Sequence, residues 1–282
     1  MLRATIAAVL SCAALAGASA PSQTLAILKP SLHQYEDGPA VAPGAGFATG
    51  DSVFLSFLVG GYKVAEGEDP HVGLVCHIDA FDPQGVPLAA SIRQEIRTTV
   101  SPEDKNWMPI VRDSFPIPPL ALPGDYRIVI VVEDLLATQE AKLEVHFPVR
   151  GRQVAPSDTL VARNVRFLRA EDDTQPLQPP IYRPGNLVWV RFEIVGYKFG
   201  ENNRLQFSYG VSVLGPSGKT VYSEPQAALE DGPSFYPKRY LPGTFSLSLT
   251  NDVRPGAYTI VLTLRDEIGH QTVESKHEFT VQ

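Results

Sequence analysis

Ser52-Val53-Phe54-Leu55-Ser56-Phe57-Leu58-Val59-Gly60-Gly61-Tyr62-Lys63 and Leu187-Val188-Trp189-Val190-Arg191-Phe192-Glu193-Ile194-Val195-Gly196-Tyr197-Lys198 are one passage written twice, 135 residues apart. In the first copy Val53, Leu55, Phe57 and Val59 alternate with less apolar neighbours. In the second, Val188, Val190, Phe192 and Ile194 do the same. Apolar residues at period two mark a β-strand with one buried face, because successive side chains point to opposite sides of the pleat. Both strands stop at a Gly-Tyr-Lys triplet.

The match extends outward from this passage. Residues 24–63 align with 159–198 without a gap, and ten of the forty positions are identical. With the offset reduced to 133, Pro83 and Gly85 meet Pro216 and Gly218, and Trp107-Met108-Pro109 meets Tyr240-Leu241-Pro242. At offset 132, residues 123–149 align with 255–281 with nine identities, among them Pro123-Gly124, Tyr126, Asp134 and Phe147. A period this long signals a duplicated domain, not a solenoid of short repeats. Leu74, Cys76, Ile78 and Ala80 alternate opposite Phe207, Tyr209, Val211 and Val213. Asp82-Pro83-Gln84-Gly85 and Gly215-Pro216-Ser217-Gly218 read as turns, with proline presetting φ and glycine closing. No segment carries a helical period. The expected fold is all-β, two tandem immunoglobulin-like β-sandwich domains over 22–149 and 159–282, joined by a linker at 150–158.

The family resemblance rests on particular residues. Pro123-Gly124-Asp125-Tyr126 and Pro255-Gly256-Ala257-Tyr258 each open a strand that ends in aspartate, Asp134 or Asp266. They resemble the penultimate strand of immunoglobulin-like domains, where a tyrosine folds back on the backbone upstream of it. Tyr182-Arg183-Pro184-Gly185 is similar to the entry of macroglobulin-type domains. A thioester motif is missing, so the resemblance implies a fold and no activity.

The chain opens with Arg3, an apolar run from Ala4 to Ala16 and small residues after it, the order of a secretory signal. We expect a signal peptide over 1–18, with cleavage after Ala20 as the alternative, and a periplasmic or extracellular destination. The signal takes Cys12 with it and leaves Cys76 alone, so neither domain can carry an intrachain disulfide. Residues 1–150 hold 17 acidic and 10 basic side chains and the remainder 14 of each. Without Arg3 the first half balances at 9 − 17 = −8. An acidic or neutral surface is the wrong footprint for nucleic acid, and no later stretch has the length of a membrane span.

Chemistry-bearing residues are sparse. His71, Cys76, His77 and Asp79 have the right types for a transition metal. Strand geometry sends Cys76 to one face and His77 and Asp79 to the other, so no metal site is expected. No nucleophile elbow or phosphate loop appears, so no catalytic residue and no cofactor is expected. The Gly-Tyr-Lys triplets place Tyr62, Lys63, Tyr197 and Lys198 at the pole where Asp134 and Asp266 end their strands. Glu66, Glu68 and Asp69, with Glu201, Asn202 and Asn203 in the second copy, make that pole rich in oxygen. Trp189 lies on the outward face of its strand and needs cover, while Trp107 and Tyr240 sit in long connections beside basic residues. These seven residues, Tyr62, Lys63, Trp107, Trp189, Tyr197, Lys198 and Tyr240, are the candidate contact residues. The function expected is non-catalytic binding or scaffolding through a protein partner. The alternative is an accessory carbohydrate- or calcium-binding module of a cell-envelope system.

Overall fold

A computed structural model describes residues 24–42, 44–101, 103–104 and 106–282. The expected signal peptide and Cys12 lie outside the described residues.

The first sandwich is built from β1 (Ala26–His33), β2 (Phe47–Ala48), β3 (Ser52–Gly60), β4 (His71–Phe81), β5 (Ile92–Thr99), β6 (Ile110–Pro116), β7 (Gly124–Asp134) and β8 (Gln139–Arg150). One sheet has the order β1-β3-β6 and the other β2-β8-β7-β4-β5. The second sandwich repeats this with β9 (Val161–Leu168), β10 (Ile181–Tyr182), β11 (Leu187–Val195), β12 (Leu205–Leu214), β13 (Thr220–Gly232), β14 (Leu241–Ser248), β15 (Gly256–Asp266) and β16 (Gln271–Val281). Its sheets run β9-β11-β14 and β10-β16-β15-β12-β13, the same order strand for strand. The pairs are antiparallel except β2 with β8 and β10 with β16. Chains that cross between two sheets in this order make an immunoglobulin-like sandwich. The tyrosine corners are both present. The Tyr126 hydroxyl donates to the Leu122 carbonyl at 2.6 Å, and that of Tyr258 to the Arg254 carbonyl at 2.8 Å.

Alternation in the sequence becomes burial in the structure. Val53, Leu55, Phe57 and Val59 face Leu74, Cys76, Ile78 and the buried row of β7 in one core. Val188, Val190, Phe192 and Ile194 face Phe207, Tyr209, Val211 and the buried row of β15 in the other. The two cores conserve volume by a paired exchange. Cys76 stands opposite Val132 as Tyr209 stands opposite Leu264, so they hold one position. Across the sandwich, Val111 pairs with Phe57 where Gly243 pairs with Phe192. The first core has cysteine and valine; the second has tyrosine and glycine. A β-carbon at Gly243 would run into the Phe192 ring. That ring packs edge-on against Tyr209 at 5.3 Å, and the Tyr209 hydroxyl reaches the Thr244 carbonyl at 2.7 Å. Keeping total volume is what a packed interior demands.

The ladders correct one detail of the repeat. Leu58 pairs with Ile110 and Glu193 with Pro242, so β6 and β14 are offset by 132, not 133. Met108, not Trp107, is therefore the counterpart of Tyr240, and Trp107 that of Arg239. The drift has two sources: a bulge in β13, opposite Tyr209 to Val211, takes the offset to 134, where Ile96 matches Glu230, and a longer connection before β6 in the first domain brings it back to 132.

Candidate contact site at the pole of the first domain

The Gly-Tyr-Lys triplet fastens one pole of each sandwich. Gly61 and Gly196 have φ of 73° and 83°. A β-carbon on either would collide with the carbonyl of Thr24 or Thr159, so only glycine lets the incoming strand approach. The Tyr62 hydroxyl donates to the Trp107 carbonyl, and the Tyr197 hydroxyl to the Lys238 carbonyl at 2.7 Å. The lysines meet the aspartates through their backbones. Lys63 N–H donates to Asp134 at 2.7 Å and Lys198 N–H to Asp266 at 2.9 Å. The other Asp134 oxygen accepts from Leu136 and Ala137, closing the β7–β8 hairpin. Gln139 and Gln271 accept from Leu25 and Leu160, tying down the chain entry. Triplet, aspartate and glutamine thus recur together because they share one structural task, and the ammonium of Lys63 stays exposed.

The metal-like cluster separates as strand geometry requires. Cys76 is fully buried, and burial pushes its thiol up to about 11. His77 and Asp79 emerge on the opposite face, half-buried. Among the described residues, no three His, Cys, Asp or Glu side chains converge as a metal site would need. Sequence reading overlooked a serine–histidine contact. His33 Nε2 lies 2.9 Å from Ser56 Oγ, while its Nδ1 is 2.8 Å from the Gly38 carbonyl. Ser56 lies on the central strand β3, paired with β1 on one side and β6 on the other. Both the His33 and the Ser56 side chains line a shallow pocket of about 270 Å³ with Glu36, Arg112 and Asp113.

The pole of the second domain is covered by the first. Tyr240 is 7% exposed and clusters with Val195 of β11, Val154 of the linker and Leu120, Leu122 and Val161. Beside it, Tyr236 enters the core of the first domain. Its hydroxyl donates to Asp82 at 2.8 Å, and Arg239 Nη2 donates to the same oxygen at 2.6 Å. The second Asp82 oxygen accepts from the backbone of Gln84 and Val86. Burial works to raise the Asp82 pKa, but these bonds and the guanidinium outweigh it and hold the carboxyl below the usual range. Arg152 of the linker and Arg166 both pair with Glu193, itself 1% exposed.

The pole of the first domain is open. Leu28, Val64, Trp107 and Met108 are each 36–39% exposed. With Gly60, Gly61 and Tyr62 they line a groove of about 400 Å³, in the size range of real ligand sites. Trp107 packs edge-on to Tyr62 at 6.3 Å, so the wall is ordered by the triplet below it. Of the seven candidates, the structure brings Tyr62, Lys63 and Trp107 to this groove or its margin. It buries Tyr197 in the second core and Tyr240 at the domain junction, and leaves Lys198 exposed. Trp189 stands apart, half-buried on β11 between Leu168 and Ser246. Met108 was not singled out, since a lone methionine in a loop carries no pattern.

No family model matches the chain, and no curated protein matches it. Among solved structures it is similar to the C-terminal domain of the AgI/II polypeptide BspA from Streptococcus agalactiae. Identity is 8%, over 91% of this chain and 100% of that one, with a TM-score of 0.31. A second BspA C-terminal structure gives 8%, 90%, 99% and 0.30 in the same terms. Red sea bream transglutaminase aligns at 12% identity over 95% of this chain and 32% of its own, with a TM-score of 0.27. The likenesses are at the level of β architecture.

Proposed function

We propose that this is an exported, non-catalytic binding or scaffolding protein that works through protein–protein contacts at the free pole of its first domain. One observation carries the reading. The same surface occurs twice in the chain, is filled by polypeptide in the second domain, and is open in the first. Exposed apolar surface gathered at one place is the mark of an interaction site, unlike apolar residues scattered singly. The domain boundaries at 22–149 and 159–282 and the signal over 1–18 belong to the same proposal, which places the protein in the periplasm or outside the cell. Among the described residues no helix is long and apolar enough to cross a membrane.

Trp107, Asp104 and Asn106 together give a sugar-like reading some footing, as an aromatic shelf beside polar groups. The filled counterpart favours polypeptide. A photo-crosslinking residue at position 108, compared in the native host with one at position 187, tests the function. A discrete protein adduct from 108 and none from the equally exposed 187 is expected. Matching adducts from both, or none from 108, contradict it. N-terminal sequencing of exported material should start at Ser19 or Pro21; material starting at Met1 contradicts export.

A further inference from the structure

The second domain shows what fits this pole. Val154, 1% exposed, sits among Val195, Tyr240, Leu120, Leu122 and Val161. It belongs to Arg150-Gly151-Arg152-Gln153-Val154-Ala155-Pro156, a segment that beyond Arg150 has no regular structure, with Arg152 paired to Glu193. The pole is therefore filled by the basic linker, anchored by the branched aliphatic Val154, together with Leu120 and Leu122 of the β6–β7 connection.

The first domain offers the same position with smaller walls. Ala26 pairs with Gly60 where Val161 pairs with Val195. Two valines have become alanine and glycine, and the Leu28 and Met108 side chains lie over Gly60 in their place, an apolar floor for an aliphatic anchor. Among the described residues, the loops on either side carry Glu66, Glu68, Asp69, Glu103 and Asp104 against Lys63. That balance attracts basic flanks as Glu193 attracts Arg152.

We propose that the groove formed by Leu28, Gly60, Tyr62, Trp107 and Met108 binds an extended segment of a partner protein, with a branched aliphatic anchor flanked by arginine or lysine. The proposal rests on the reading of this pole as a protein-contact site and names what enters it. A second copy of this chain is a poor occupant. Two free poles meeting head to head bring acidic loops together. Head to tail, the second domain offers Asp252-Val253-Arg254 where the first offers Leu120-Ala121-Leu122.

The probe is the capped peptide acetyl-Arg-Gly-Arg-Gln-Leu-Ala-Pro-amide, the linker sequence with leucine as anchor. It is titrated into the full chain carrying Trp189→Phe, so that Trp107 is the one tryptophan reporting. We expect saturable change in its emission with half-saturation below about 1 mM. Affinity should fall at least tenfold with aspartate at the anchor, and again as salt rises to about 0.2 M. Met108→Asp, at an exposed position, should keep the thermal melt and lose the binding. No saturation, equal affinity for the leucine and aspartate peptides, or saturation by a neutral oligosaccharide in their place overturns the proposal. A protein adduct from position 108 without peptide binding overturns the occupant alone and leaves the contact site standing.

Discussion

Met108 and Tyr240 stand at equivalent places just outside the ladders, each two residues ahead of the partner of Leu58 or Glu193, yet Met108 is 39% exposed and Tyr240 7%. Neither residue's own strand accounts for the difference. What differs is what lies above: the linker and the β6–β7 connection over Tyr240, open groove over Met108. Duplication placed the same surface at both poles, and joining the domains covered only one of them.

The junction that covers Tyr240 depends on Asp82. Its folded carboxyl is held below the usual range, so its contribution is fully present above the unfolded value near about 3.9. That contribution is lost as pH falls through the folded value. Asp82→Asn should therefore destabilise at neutral pH by about 2 kcal/mol, leaving Arg239 and Tyr236 poorly matched. Melts from about pH 7 to pH 2.5 should show the variant and the parent converging at the acid end. A constant gap at every pH contradicts the assignment.

The triplet glycines are demanded by contact as well as by φ. Gly61→Ala and Gly196→Ala should each cost about 2 kcal/mol or more, since backbone must move to admit the new carbon. Gly85 makes the comparison clean: its φ is 81°, but nothing lies within 4 Å of the added carbon. Gly85→Ala should cost only about 1 kcal/mol, the conformational share. Equal losses at all three in urea titrations would show that the close approach to Thr24 and Thr159 is irrelevant.

Cys76 should be chemically silent while the chain is folded. Its thiol is fully buried and pushed up to about 11, so little thiolate exists and little of it is reachable. In a Cys12→Ser background, a thiol reagent at about pH 8 should label the native chain at least a hundredfold more slowly than the chain in denaturant. Rapid native labelling contradicts the packed position opposite Val132.

The strands were legible because alternation at period two survives in a single sequence. Val53 to Val59 and Val188 to Ile194 state their buried face outright, and Tyr126 and Tyr258 announce their corners. The role of Gly-Tyr-Lys was half legible: recurrence said scaffold, but only coordinates show Lys63 donating from its backbone and not its ammonium. The domain junction was not legible. Asp82 and Tyr236 are 154 positions apart, and neither carries a local pattern that names the other. Trp107 and Tyr240 looked like equals because the aromatic, aliphatic and proline residues of the two triplets line up in order. Exposure depends on the neighbouring domain, which periodicity within a strand does not encode.

The open and covered poles can be compared by one optical measurement. In a chain with Trp107→Phe and Trp189→Phe, a single tryptophan is placed by Met108→Trp in one variant and by Tyr240→Trp in another. Acrylamide quenching is then read on both. Red-shifted emission, readily quenched, is expected at position 108, and blue-shifted emission at position 240 with a quenching constant at least several-fold smaller. Equal quenching at the two positions would contradict this difference between the poles.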